Sequence, residues 1–150
     1  MRSGFRRGFT LVEILIVVVI LGILAAIVIP QFTGETEEAA ANATFDQLQK
    51  MRRAVGVYRA RNRDAMPPIQ EIAGDPVGSW GPLVGNAGDY LLSAPVNSWV
   101  GGANAREVRV VPNATPDAAF QTDYGWIFDP SSGEVYAGSF DATDKPIPRH

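Results

Sequence analysis

Apolar residues are spread along this 150-residue chain in three different ways. The first is continuous. From Ile14 to Ile29 no charged residue occurs, and Phe9–Val12 extends the run to about 20 residues broken only by Glu13. A helix of that length crosses a bilayer core of about 30 Å. Pro30 removes one backbone donor and crowds the preceding turn, which predicts a kink over Val28–Phe32. The second pattern is helical. Phe45, Leu48, Met51, Val55 and Tyr58 recur at three-four spacing, and Ala39, Ala40, Ala41 and Ala43 favour helix. Glu35, Glu37 and Glu38 precede this stripe, while Lys50, Arg52, Arg53, Arg59, Arg61 and Arg63 crowd its end, a polarity that complements the helix dipole. Helix is expected to about Arg61, with Gly56 as a weak or close-packed position and "NRDAMPP" as the stop.

The third pattern is broken into short pieces. Ile69–Gly102 is rich in Gly, Pro, Asn and Asp and predicts loop, with one short helix at Ile69–Ala73. Within it, "GDYLLSAPVNSWVGG" places Tyr90, Leu91, Val96 and Trp99 in a turn-rich frame, which fits a loop packed across a sheet. "REVRVV" (Arg106–Val111) alternates charged and apolar residues, the period-two pattern of a half-buried strand. "GWIFD" and "EVYAG" flank "PSSG" (Pro130–Gly133) and predict a hairpin. The tail "DATDKPIPRH" reads as frayed. Helix first and strands after is an α+β order.

Charge gives the N-terminal run a direction. Arg2, Arg6 and Arg7 all precede Phe9, so the positive-inside rule leaves the N-terminus in the cytoplasm and the rest of the chain outside. A cleavable secretory signal would use "LAA" at Leu24–Ala26, but the apolar run continues through Ile27, Val28 and Ile29 where a polar region belongs. A plain signal anchor explains the arginines and the length. It does not explain Glu13, whose carboxylate costs about 2.5–3.5 kcal/mol at a helix centre in lipid.

The net charge is −3 and there is no basic stripe, so nothing favours nucleic acid. Without cysteine there is no disulfide, thiolate metal site or cysteine nucleophile. The sole histidine, His150, is terminal, and no nucleophile elbow, phosphate loop or paired-histidine motif occurs. An enzyme therefore has little support. Trp80, Trp99 and Trp126 could line a sugar or surface patch, although buried anchoring is the simpler role for such large rings.

The string "RRGFTLVE" followed by the long apolar run resembles the class III signal of type IV pilins and type II secretion pseudopilins. The resemblance implies cleavage by prepilin peptidase between Gly8 and Phe9, methylation of the new Phe9 amine, and an assembly role for Glu13. It also implies helix breaks or bends at Gly22 and Pro30. The physical reading agrees with it. A freed amine at Phe9 could meet Glu13 of a staggered neighbour, a pair better suited to setting register than to adding net stability.

The implied organisation is a leader (1–8), a transmembrane or filament-core helix (9–30), its amphipathic continuation (31–63) and a globular region (64–150). The implied fold is pilin-like α+β, with the long N-terminal helix packed on a small antiparallel sheet. The implied partners are copies of the chain, minor pseudopilins or pilins, an inner-membrane assembly platform and the lipid bilayer before assembly. "YLLSAPVNSW" with the downstream "GWIFDPSSGEVYA" is closest to the major pseudopilin of type II secretion, whose work would be a short periplasmic filament. A surface pilin for adhesion, motility or DNA uptake is the alternative, and a minor tip subunit a third. That family also implies a calcium loop. Asp117 and Asp123 lie in the corresponding region, where solvated loop carboxylates are the competing reading, and the family's tyrosine-proline pair is replaced by "AMPP" (Ala65–Pro68).

Overall fold

The computed structural model describes residues 9–85 and 90–149, with the side chains of 27–33 left out. The chain divides into two compact units, Met1–Glu37 and Glu38–His150. One helix, α1 (Leu11–Arg61), contributes residues to both. It remains helical through Gly22, Pro30 and Gly34.

In the second unit the α1 segment buries one face. Leu48, Met51, Ala54 and Val55 are buried, Thr44 joins them, and Ala40, Ala41 and Tyr58 pack at the margin. Phe45 departs from the expected stripe and is 41% exposed. The three-four spacing accommodates either Thr44 or Phe45 before Leu48. Thr44 takes the inner position because its hydroxyl has buried partners, which are described below. The helix ends where Arg63 and Asp64 adopt positive φ, 54° and 64°. Asp64 N then donates to Arg59 O at 2.8 Å and Asn62 Nδ2 to Tyr58 O at 2.8 Å, so the last carbonyls are satisfied locally.

The expected helix at Ile69–Ala73 does not form. The short helix is α2 (Pro76–Trp80), one turn later. Asp75 caps it by accepting from Gly78 N at 2.9 Å, and Pro76 supplies the preset φ of a first helical residue.

Three strands follow: β1 (Val108–Val110), β2 (Trp126–Phe128) and β3 (Val135–Ala137). The β2–β3 hairpin is antiparallel, with Phe128 opposite Val135 and Trp126 opposite Ala137. Asp129 fixes its turn, accepting from Ser131 N, Asn113 N and the Ser132 hydroxyl at 2.8–3.0 Å. The β1–β2 pair is parallel, so the sheet is mixed and not antiparallel as expected. Parallel neighbours need a connection of a dozen or more residues. Segment 111–125 is long enough to return the chain to the starting end, whereas the turn after β2 is not.

The core joins the inner face of α1 to Trp80, Leu83, Leu91, Trp99, Val108, Trp126, Phe128, Val135 and Phe140. All three tryptophans are buried, which removes them from any surface patch. In the loop before β1, Leu91 and Trp99 are buried while Tyr90 and Val96 are half-buried. The tail is tied down, contrary to the frayed reading. Phe140 bridges Pro146, Ile147 N donates to Ser139 O, and Trp99 Nε1 donates to Ile147 O at 3.0 Å. Arg52 clamps Asp144 through two bonds of 2.6 and 2.9 Å and also donates to Val135 O.

Candidate functional site

The N-terminal end of α1 begins with Thr10 and Glu13. Thr10 N and its hydroxyl each donate to Glu13 Oε2 at 2.9 Å, and Glu13 N donates to Thr10 Oγ1 at 3.3 Å. This reciprocal pattern is a capping box, which satisfies backbone donors that no helical carbonyl can reach. "TLVE" is the Thr-x-x-Glu signature of that motif, so the sequence carried a local role for Glu13 that the assembly reading passed over. Phe9, just outside the helix, is 81% exposed.

Beyond the cap, apolar side chains cover every side of the helix. From Leu11 to Leu24 the large ones are 50–83% exposed. A helix apolar all round belongs in a protein core or a membrane, because each exposed Å² costs roughly 25 cal/mol in water. Among the described residues, no helix is long and apolar enough to cross a membrane. The described side chains of this run stop at Ala26. At Gly22 an added Cβ would meet nothing within 4 Å, so no contact inside the chain requires glycine there. The Pro30 side chain and Gly8 lie outside the described residues, as does His150.

The globular unit holds most of its buried polar side chains in structural bonds, with Trp80 Nε1 an exception. Asn97 is its buried centre. Its Oδ1 accepts from Trp99 N and Val100 N at 2.9 Å, and its Nδ2 donates to Gly125 O and Gly138 O at 2.7 and 2.9 Å. The Thr44 hydroxyl lies 3.2 Å from Asn97 Oδ1 and accepts from Trp99 N, linking α1 to the loop and, through Asn97, to the Gly125–Gly138 end of the β2–β3 hairpin. A side chain at Gly125 would collide with Ala105 O, and one at Gly138 with Tyr124 O. Sequence reasoning missed Asn97, because an asparagine in a turn-rich stretch carries no sign that it is buried.

Asp117 and Asp123, the carboxylates of the calcium reading, differ in their surroundings. Asp117 accepts from the Tyr124 hydroxyl, Ser139 N and Gln121 Nε2 at 2.6–2.9 Å, so protein donors occupy both its oxygens. Asp123 is exposed. Among the described residues, no group of three or more metal-ligating side chains could hold an ion. An open groove of about 730 Å³ beside β1 is lined by Glu71, Glu107, Arg106 and Arg109. Glu71 and Glu107 there accept backbone N–H bonds from Val110 and Gly74.

Residues 4–29 match the prokaryotic N-terminal methylation motif. The chain is 36% identical over 103 residues to the type II secretion system core protein G of Pseudomonas aeruginosa, covering 66% of this chain and 72% of that protein. This chain belongs to the type II secretion system core protein G family. Its identity to the core protein G of Klebsiella michiganensis is 37% over 120 residues, covering 63% of this chain and 78% of the relative. With that of Aeromonas hydrophila it is 28% over 103 residues. No solved structure matches the chain. Membership in the core protein G family agrees with the pseudopilin resemblance. The methylation motif takes in Gly8, Phe9, Glu13 and Gly22 and stops one residue before Pro30.

Proposed function

We propose that this chain is a structural, non-catalytic subunit of a type II secretion pseudopilus. It is cut between Gly8 and Phe9 by a prepilin peptidase and methylated on the Phe9 amine. Before assembly it waits in the inner membrane, its N-terminus cytoplasmic and residues after Pro30 outside. An assembly platform then joins it to copies of itself and to minor pseudopilins through the N-terminal helix. The observation that carries this reading is the capped helix whose apolar side chains are exposed on every side, preceded by an exposed Phe9. Such a surface needs lipid or other helices around it. Family membership and the methylation motif support the same conclusion.

Glu13 then has two successive roles. In the single chain it caps its own helix through Thr10. In the filament its carboxylate meets the Phe9 amine of a neighbour and sets the register. Two substitutions separate the roles. Glu13→Gln keeps an oxygen acceptor for Thr10 but loses the charge, whereas Glu13→Ala loses both. Filament yield in cells is expected to collapse for both variants while membrane insertion stays normal. Wild-type yield from Glu13→Gln would show that capping alone is the function of this residue.

A further inference from the structure

The outer surface of α1 in the globular unit carries a charge pattern that the chain does not use internally. Lys50 and Arg53 stand three residues apart, and with Ala54, Val57 and the Tyr90 ring they line a shallow pocket of about 210 Å³. Among the described residues neither cation has an ion pair or hydrogen-bond partner, in contrast to Arg52 and Arg59, which bind Asp144 and Asp64. Asp46 lies one turn before Lys50 on the same helix and is not bonded to it. Further toward the N-terminus, Glu35, Glu37 and Glu38 are exposed and likewise make no ion pair among the described residues. The helix thus offers an acidic segment and a basic pocket, both unsatisfied.

We infer that the Lys50–Arg53 pocket receives the Glu35–Glu38 segment of a second copy of this chain. The inference rests on the filament reading above and adds a specific contact to it. Charge complementarity selects the occupant, since the chain itself supplies the opposite charges on the same helix. Glu38 precedes Lys50 and Arg53 by 12 and 15 residues. At about 1.5 Å per residue, parallel copies staggered by roughly 18–22 Å bring the two segments level. A parallel copy without stagger would bring like charges level and leave both segments unpaired, so among parallel copies the contact selects the stagger. Each exposed pair is weak, but a filament repeats it at every subunit. Ala54 and Val57 keep the pocket floor apolar and the Tyr90 ring walls one side, which lowers local screening when a neighbour covers it.

Charge reversal in the full-length chain, expressed with its secretion system, tests the contact. Lys50→Glu with Arg53→Glu is expected to lower filament yield several-fold. Glu35→Lys with Glu37→Lys and Glu38→Lys should do the same. The chain carrying all five substitutions should recover most of the loss, because every copy then presents both reversed partners. A five-fold mutant no better than its worse parent would overturn the inference, as would wild-type yield from either parent. The native chain has no cysteine, so cross-linking is clean. Glu38→Cys co-expressed with Arg53→Cys should give mixed disulfide dimers in filaments and none in detergent-dispersed monomer. Cross-linking equal in both samples, or absent from filaments, would contradict it. If the wild-type chain keeps its leader and forms no filament, the function itself fails. If it assembles and ignores the reversals, only this contact fails.

Discussion

Helix α1 meets two different surroundings along its length. From Leu11 to Leu24 its apolar side chains are exposed on all sides. From Ala40 to Tyr58 they form one stripe, and that stripe is buried against Trp126, Phe128, Val135 and Ala137. The first stretch is rich in Val and Ile and the second carries more Ala, yet both are helical, so helix propensity does not decide what surrounds them. The distribution of apolar residues around the axis does. A stripe finds its partner within the same chain, while a full apolar cylinder has to find one outside it. One continuous helix can therefore serve folding at one end and association at the other.

The sharpest way to break this comparison is to shorten one leucine in each stretch. Leu48→Ala removes a fully buried side chain and should cost about 2–5 kcal/mol. Leu15→Ala, at a position 57% exposed, should leave unfolding of the globular unit within about 0.5 kcal/mol of wild type. Urea unfolding of the full chain in detergent, followed by tryptophan fluorescence, reads that unit alone because Trp80, Trp99 and Trp126 all lie in it. Equal losses from the two substitutions would erase the distinction.

Next in size is Asn97→Ala. It strands the Gly138 carbonyl and the Val100 N–H, each costing about 1–3 kcal/mol when left unpaired. Trp99 N keeps the Thr44 hydroxyl, and Gly125 O keeps the Gly138 N–H. Several kcal/mol of lost stability is expected in the same measurement, with no change in leader processing. A loss below about 1 kcal/mol would show that water replaces the amide.

The smallest effect concerns pH and belongs only to the folded unit. Burial pushes the Asp129 carboxyl up, but the Ser131 N–H, the Ser132 hydroxyl and the Asn113 N–H outweigh it, so its pKa lies below the ordinary value. A depressed folded-state pKa contributes stability that is fully present above the unfolded value of about 3.9. That contribution disappears as pH falls through the lower folded value. Asp129→Asn should flatten the acid limb of a stability-versus-pH curve and leave the neutral limb parallel to wild type. An unchanged acid limb would remove Asp129 from the account.

Much of this architecture could be read from residues in order. The stripe, the helix stop near Arg61 and the Pro130–Gly133 turn are local signals, and the structure has each of them. Elements whose partners are distant in sequence were not legible. The parallel pairing of β1 with β2 depends on how segment 111–125 returns, which no local pattern states. The tail is ordered by Arg52 and Trp99, roughly fifty to ninety residues away along the chain. Phe45 lost the inner position to Thr44 because a buried hydroxyl network outranked an apolar ring. The Thr10–Glu13 cap was legible as a motif, yet the larger anomaly of a carboxylate in an apolar run drew attention from it.

The central claim is that the apolar end of α1 is a processed assembly device, with the globular unit as its passenger. Intact-mass and peptide mass spectrometry of the chain purified from its native host tests that claim most directly. The account predicts a mature chain beginning at Phe9 with a methylated amine. A chain retaining Met1–Gly8, or one cut after Ala26, would contradict it.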